Sequence, residues 1–171
     1  MPVYETGGQR FESFRVRQNL INILVTHIVH KHIIIRAEVL NPPSDETHTS
    51  NQVKTLIEDI GMKILMGPFA KYVDMVGNRG LTVATIIETS HIVMHTWDES
   101  SPANIQLDVY TCGDFDPHTV FEWLKQYNPI KVDYKYLDRE NGLTEIPLEP
   151  KNSYSWSSRE IVDAMDTILA D

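Results

Sequence analysis

The sequence predicts an α+β fold: a two-layer α/β sandwich whose mainly antiparallel sheet carries helices on one face. Three observations lead there. Short runs rich in Val, Ile and Thr recur through the middle of the chain, separated by Gly, Pro, Asn and Asp. Stretches with a single apolar stripe at helical spacing fall between some of these runs. The strands cluster instead of alternating one for one with helices, so a parallel βαβ sheet is disfavoured.

Residues 1–10 carry no periodicity. From Phe11 to Ile28 the apolar positions Val16, Leu20, Ile23, Leu24 and Ile28 suit a helix, while their β-branched members leave a strand open. His32–Leu40 (HIIIRAEVL) reads as a buried strand stopped by Asn41-Pro42-Pro43. Thr49 with Gln52 forms the pattern of a capping box. It precedes a helix that lines up Val53, Leu56, Ile57 and Ile60 and ends at Gly61. Lys63–Met66 is a short strand before Gly67-Pro68, and Lys71–Val76 a second, closed by the turn Gly77-Asn78-Arg79-Gly80.

Three strand-like runs follow: Leu81–Thr89, His91–Trp97 and Ile105–Cys112, the last two separated by the loop Asp98–Asn104. Asp116-Pro117 supplies an N-cap and N1 pair for a helix to about Tyr127, with Val120, Phe121 and Leu124 as its stripe. Ile130–Leu137 is a further strand with the charges Lys131, Asp133 and Lys135 alternating along it. The Pro-, Asn- and Ser-rich run Glu140–Trp156 crosses the surface, and Ser157 with Glu160 caps a last amphipathic helix.

The balance of charge narrows the function. Lys and Arg number 15 against 24 Asp and Glu, for a formal net charge of -9. A sequence-independent nucleic-acid binder needs a basic face, so nucleic acid is not an expected partner. The one cysteine, Cys112, allows no intrachain disulfide and needs no oxidising compartment. The start MPVYETGGQRF lacks the apolar core of a signal peptide. Asn22, His27, His30, Lys31 and His32 make Leu20–Ile35 too polar to cross a bilayer. A cytoplasmic protein with no membrane partner is expected.

The stretch ETSHIVMHTWDE, residues 88–99, concentrates the reactive side chains. Ser90 reads either as a strand serine bonded to backbone or as a nucleophile in need of a base. If 91–97 is one strand, then His91, Val93, His95 and Trp97 share a face and Ser90 points the other way. Regular strand geometry therefore does not pair Ser90 with His95. Cys112, at a strand end beside Gly113, reads either as a small core residue or as a partly exposed thiol. The histidines lack a familiar ligand spacing, and no metal site is expected. Gly77–Gly80 lacks the lysine of a phosphate loop. Asp98 and Glu99 read as a solvated acidic pair.

GLTVATIIETSHIVMHTWDE followed by LDVYTCGDFDP resembles the small, prokaryotic-type S-adenosylmethionine decarboxylase proenzymes. Three motifs appear in the family's order: Thr89-Ser90-His91, His95-Thr96-Trp97-Asp98-Glu99 and Thr111-Cys112-Gly113. The similarity is clear over residues 78–127 and extends from His32 to Arg139. It implies a domain at 31–139 with an N-terminal extension (1–30) and a C-terminal one (140–171).

The resemblance also implies a chemistry. The Ser90 hydroxyl would attack the preceding carbonyl, the chain would split between Thr89 and Ser90, and Ser90 would become an N-terminal pyruvoyl group. That group would form a Schiff base with S-adenosylmethionine and accept the electrons left by departing CO2, in the service of spermidine synthesis. His95 and Thr82 match the family's processing residues, Cys112 its proton donor and Glu99 the acid that holds the ribose hydroxyls. A homodimer of processed protomers is expected. Two alternatives stay open. Val76 stands where the family stacks an aromatic ring on adenine, which leaves room for ornithine or arginine as substrate. Thr89 stands where the family has Glu, which leaves room for an unprocessed regulatory homologue.

Overall fold

The structure is a computed structural model and describes residues 29–140 and 142–148. The expectations for Phe11–Ile28 and for the helix capped by Ser157 lie outside the described residues, as does most of the two extensions. In chain order the elements are β1 (Lys31–Val39), α1 (Glu46–Asp59), β2 (Ile64–Val73), β3 (Gly80–Ile87) and β4 (Ser90–Trp97). They continue with β5 (Ala103–Thr111), α2 (Pro117–Leu124), a 3-10 turn (Lys125–Tyr127), β6 (Pro129–Asp138) and β7 (Thr144–Glu145). The strands form one antiparallel sheet in the order β2-β3-β4-β5-β1-β6-β7. This is the α+β architecture expected.

Alternation sorts the sheet into two faces. Ile33, Ile35, Ala37 and Val39 of β1 point to one side with Ile92 and Met94 of β4 and Ile105, Leu107 and Val109 of β5. That side packs against Val53, Leu56 and Ile57 of α1 and Val120, Phe121 and Leu124 of α2. Full burial of each such side chain contributes about 1.5–3 kcal/mol. The two helices are pinned to each other by polar bonds as well. Trp123 Nε1 donates to the Gln52 carbonyl at 2.8 Å and the Tyr127 hydroxyl donates to Gln52 Oε1 at 3.0 Å. The opposite face of the sheet carries no helix among the described residues.

The helix ends follow local chemistry. α1 begins three residues before the expected capping box: Asp45 is the N-cap, and its side chain accepts from the His48 amide. Thr49 is instead buried within the helix, so its hydroxyl cannot serve as a cap. The C-terminus closes as expected at Gly61, which has φ +72. Gly61 donates to Glu58 and Met62 to Ile57, the paired bonds of a Schellman motif. α2 is capped by Asp116 with Pro117 in its first turn, and tightens into the 3-10 turn before Asn128 at φ 48.

β2 departs from the two separate strands expected. It runs as one strand across Gly67-Pro68, with register shifts between Ile64 and Phe69. An edge strand tolerates a proline because its missing N–H need not join a ladder. β7, a two-residue edge strand paired with β6, lies in the run expected to be irregular.

Gly80, at the entry to β3, has φ +153 and faces Trp97 across the sheet's end. A Cβ there would sit 1.8 Å from the Thr96 carbonyl oxygen, whereas one on Gly77 meets nothing within 4 Å. Gly80→Ala is expected to cost more than about 2 kcal/mol, measured by urea unfolding, and clearly more than Gly77→Ala.

Candidate active site

β3 and β4 are joined by the two-residue turn Glu88-Thr89, with Ile87 paired to Ser90. Thr89 has φ 59, a conformation that a β-branched side chain adopts only at a cost of roughly 1–3 kcal/mol. The turn is held from both sides. The Glu88 amide donates to the Lys63 carbonyl at 3.0 Å. The Glu88 carbonyl oxygen accepts from the Thr89 hydroxyl at 2.8 Å, the Ser90 hydroxyl at 3.2 Å and the Cys112 thiol at 3.0 Å. Ser90 is buried at 8% exposure on the helix-packed side, and Cys112, just past β5, is half-buried. The sequence singled out both residues. That they meet on a third residue's carbonyl follows from β4 lying between β3 and β5.

His95 and Thr82 face each other across β3 and β4, with the Thr82 hydroxyl and His95 Nδ1 2.9 Å apart. His95 also lies against Trp97, ring centres 6.0 Å apart. This pair is five residues along β4 from Ser90, roughly 16 Å at strand rise. It lies on the open face, whereas Ser90 faces the helices. Within one chain, His95 therefore does not reach Ser90. Strand geometry said as much from the sequence alone.

Glu99 lies two residues beyond the end of β4, farther still from Ser90. Its Oε1 accepts from the Gly77 amide at 2.7 Å and so ties down the β2–β3 turn. Asp98 is not the solvated acid expected, since its side chain is 11% exposed. The Tyr72 hydroxyl donates to it at 2.8 Å, and Arg79 lies 3.6 Å away. That bond to the Asp98 carboxylate raises the Tyr72 hydroxyl above its ordinary value, with desolvation adding to it. Val76, at the position where the resemblance implies an adenine-stacking ring, is fully exposed at 97%.

A second polar group occupies the open face at the Ser90 end. Asp108 Oδ1 is shared by His32 Nε2 at 2.7 Å and His91 Nε2 at 3.2 Å. Arg139 stacks over the Tyr110 ring at 4.2 Å and reaches His32 Nδ1 at 3.3 Å. Burial raises the Asp108 carboxyl, but the hydrogen bonds and charges of His32 and His91 outweigh it and hold the group below its ordinary value. Sequence reasoning noted the histidines and missed the aspartate that joins them, because β1, β4 and β5 meet only in the sheet. Among the described residues no group of three or more His, Cys, Asp or Glu side chains is placed to hold a metal ion, and no helix is long and apolar enough to cross a membrane. The centre of the open face forms a depression of about 630 Å³ between His91 and His95.

A helix-backed antiparallel sheet with a strained, serine-bearing hairpin beside a thiol defines a class of small α+β domain. Its fold is shared with the crystal structure of the adenosylmethionine decarboxylase from Aquifex aeolicus VF5, at a TM-score of 0.51 and 21% identity over 72% of this chain and 98% of that one. The chain matches the S-adenosylmethionine decarboxylase family over residues 31–140, more than half its length, and belongs to that family. Among curated relatives, the S-adenosylmethionine decarboxylase proenzyme of Pyrobaculum arsenaticum is 44% identical over 64 residues. That of Pyrobaculum islandicum is 45% identical over 64 residues. Each match covers 36% of this chain and 50% of the relative, so the chain spans about half the length of these proteins.

Asp108 carries a pH signature. A carboxyl held below its unfolded value adds stability above that value and loses it as pH falls through the lowered one. Asp108→Asn is expected to lower the melting temperature above about pH 5, with the gap to the native protein closing below about pH 4. The carboxylate is 38% exposed, so the effect is modest. Thermal unfolding of both proteins across that range reads it.

Proposed function

We propose that this protein is a pyruvoyl-dependent S-adenosylmethionine decarboxylase of spermidine biosynthesis, working in the cytoplasm. In this reading it cleaves itself between Thr89 and Ser90, and residues 31–139 carry the chemistry. The observation that carries the reading is the hairpin: a serine next to a strained turn, with a thiol from a neighbouring strand on the same carbonyl. Strain at Thr89 raises the ground state of the peptide that must rearrange. A cut there is tolerated, since the strands on either side stay paired through Thr82–Ile87 and Ser90–His95. The local residues thus fit a pyruvoyl group made from Ser90. Such a group supplies a carbonyl that condenses with the substrate amine and takes up the electrons left by CO2. Cys112 is the proton donor to the substrate's α-carbon, its thiol held at the hairpin by the bond to the Glu88 carbonyl.

Thr82, His95 and Glu99 enter through a second copy of the chain. They gather at the end of β3 and β4 remote from Ser90 and Cys112, so one chain offers two half-sites. A two-fold dimer in which the Ser90 end of β4 in one copy meets the Trp97 end in the other would bring each half-site beside its complement. Glu99 then has a vicinal diol to hold, which a carboxylate does in bidentate fashion. That role for Glu99 is what supports the adenosyl substrate over ornithine or arginine in this reading.

Two measurements test this. The denatured mass of freshly purified protein is expected to show two chains, the second beginning with a pyruvoyl group in place of Ser90. Ser90→Ala is expected to lack that pyruvoyl-capped chain. A single intact chain after long incubation would sink the enzyme reading. Separately, Cys112→Ala and Glu99→Gln are each expected to be inactive in CO2 release from S-adenosylmethionine. Their co-expression is expected to restore part of the activity, because one site of the mixed dimer is wild type. No recovery would mean that the two half-sites do not combine across chains.

A further inference from the structure

The geometry points to a second acyl shift in the same hairpin: in a share of chains Thr89 attacks the Glu88 carbonyl, and the C-terminal chain begins at residue 89 with a 2-oxobutyryl group. The inference rests on the self-processing reading above and goes beyond it in the bond cut and the α-keto group made.

Three donors choose one acceptor. Thr89 Oγ1, Ser90 Oγ and Cys112 Sγ all bond the Glu88 oxygen, at 2.8, 3.2 and 3.0 Å. This carbonyl lies one residue upstream of the one Ser90 must attack. An N-to-O shift needs a hydroxyl beside the carbonyl of the preceding residue, and Thr89 Oγ1 stands there. The negative charge of the tetrahedral intermediate would develop on the Glu88 oxygen. Donors at such distances from a developing oxyanion lower the barrier most when they are already in place. Ser90 from β4 and Cys112 from beyond β5 are in place. The Glu88 amide is fixed to the Lys63 carbonyl, which anchors the residue on the N-terminal side of the reacting peptide. The shift also frees the Thr89 N–Cα bond from the peptide plane that holds it at φ 59.

The steps balance. Thr89 Oγ1 forms a bond to the Glu88 carbonyl carbon, the Glu88–Thr89 C–N bond breaks, and the Oγ1 proton ends on the freed amine. Water removes the Thr89 Cα proton and the ester leaves from Cβ, so Glu88 keeps Oγ1 as part of a free carboxylate. The resulting 2-aminobutenoyl residue tautomerises to the imine. Water adds and ammonia leaves, giving the 2-oxobutyryl amide of Ser90. No oxidant is needed. The secondary hydroxyl of Thr89 is more hindered than the primary hydroxyl of Ser90, which explains why the two routes would share the population.

Intact masses of denatured native protein, Ser90→Ala and Thr89→Ala, with and without borohydride reduction, test for the second cut. A fraction of native chains is expected to end at Glu88, with a partner beginning at residue 89 that gains two hydrogens on reduction. Ser90→Ala is expected to yield that pair alone, and Thr89→Ala to lose it while still breaking before residue 90. Breakage only before residue 90 in the native protein overturns the inference and leaves the pyruvoyl reading standing. An uncut native chain overturns both. The native masses separate these outcomes whether or not Ser90→Ala folds.

Discussion

The register of β4 between β3 and β5 is the constraint on which the rest depends. Ile87 opposite Ser90 and Thr82 opposite His95 set one side; His91 opposite Tyr110 and Val93 opposite Asp108 set the other. A slip of one residue would turn every side chain of β4 to the other face. Ile92 and Met94 would leave the core, and His91 and His95 would enter it without partners. Burial of the apolar row against α1 and α2 therefore fixes the row His91, Val93, His95 and Trp97 on the open face as well. The cost falls on the turn, where a two-residue connection forces Thr89 into the left-handed region.

That register divides the chemistry in space. The Ser90 end of β4 carries a hydroxyl, a thiol and a carbonyl that both address. The Trp97 end carries an imidazole with its hydroxyl partner and an acid anchored on the β2–β3 turn. A strand is stiff, and its ends cannot approach each other. In one chain these groups stand apart at the two ends of β4, with the open face between them.

The open face is more polar than a sheet awaiting only a hydrophobic partner. Asp108, His32, His91 and Arg139 form a connected set across β1, β4, β5 and the residue just past β6. One carboxylate oxygen serves two imidazoles, so the placement of each ring depends on the other. Such a group orients side chains close to the Ser90 hairpin at little cost in apolar burial, because the helices supply the core from the opposite side.

The sequence by itself determined most of the strands and the two described helices, and it singled out Ser90, His95 and Cys112 as candidates. Apolar alternation, the Asp116-Pro117 cap and the Gly61 stop act over a few residues, and local interactions decide them. It also determined that Ser90 and His95 face opposite ways, since alternation along a strand is a local rule. Where local signals competed, as with Thr49 against Asp45 as helix cap, packing of the helix face chose. The passage of β2 through Gly67-Pro68 was illegible, because only an edge position excuses a proline. Only the tertiary structure decided that β5 delivers Cys112 to the Glu88 carbonyl, that Asp108 joins His32 and His91, and that Glu99 is bound to the Gly77 turn. These contacts bring together residues far apart in the chain. Strand order and register, set by burying one face of the whole sheet, place them, and no short stretch of sequence encodes that order.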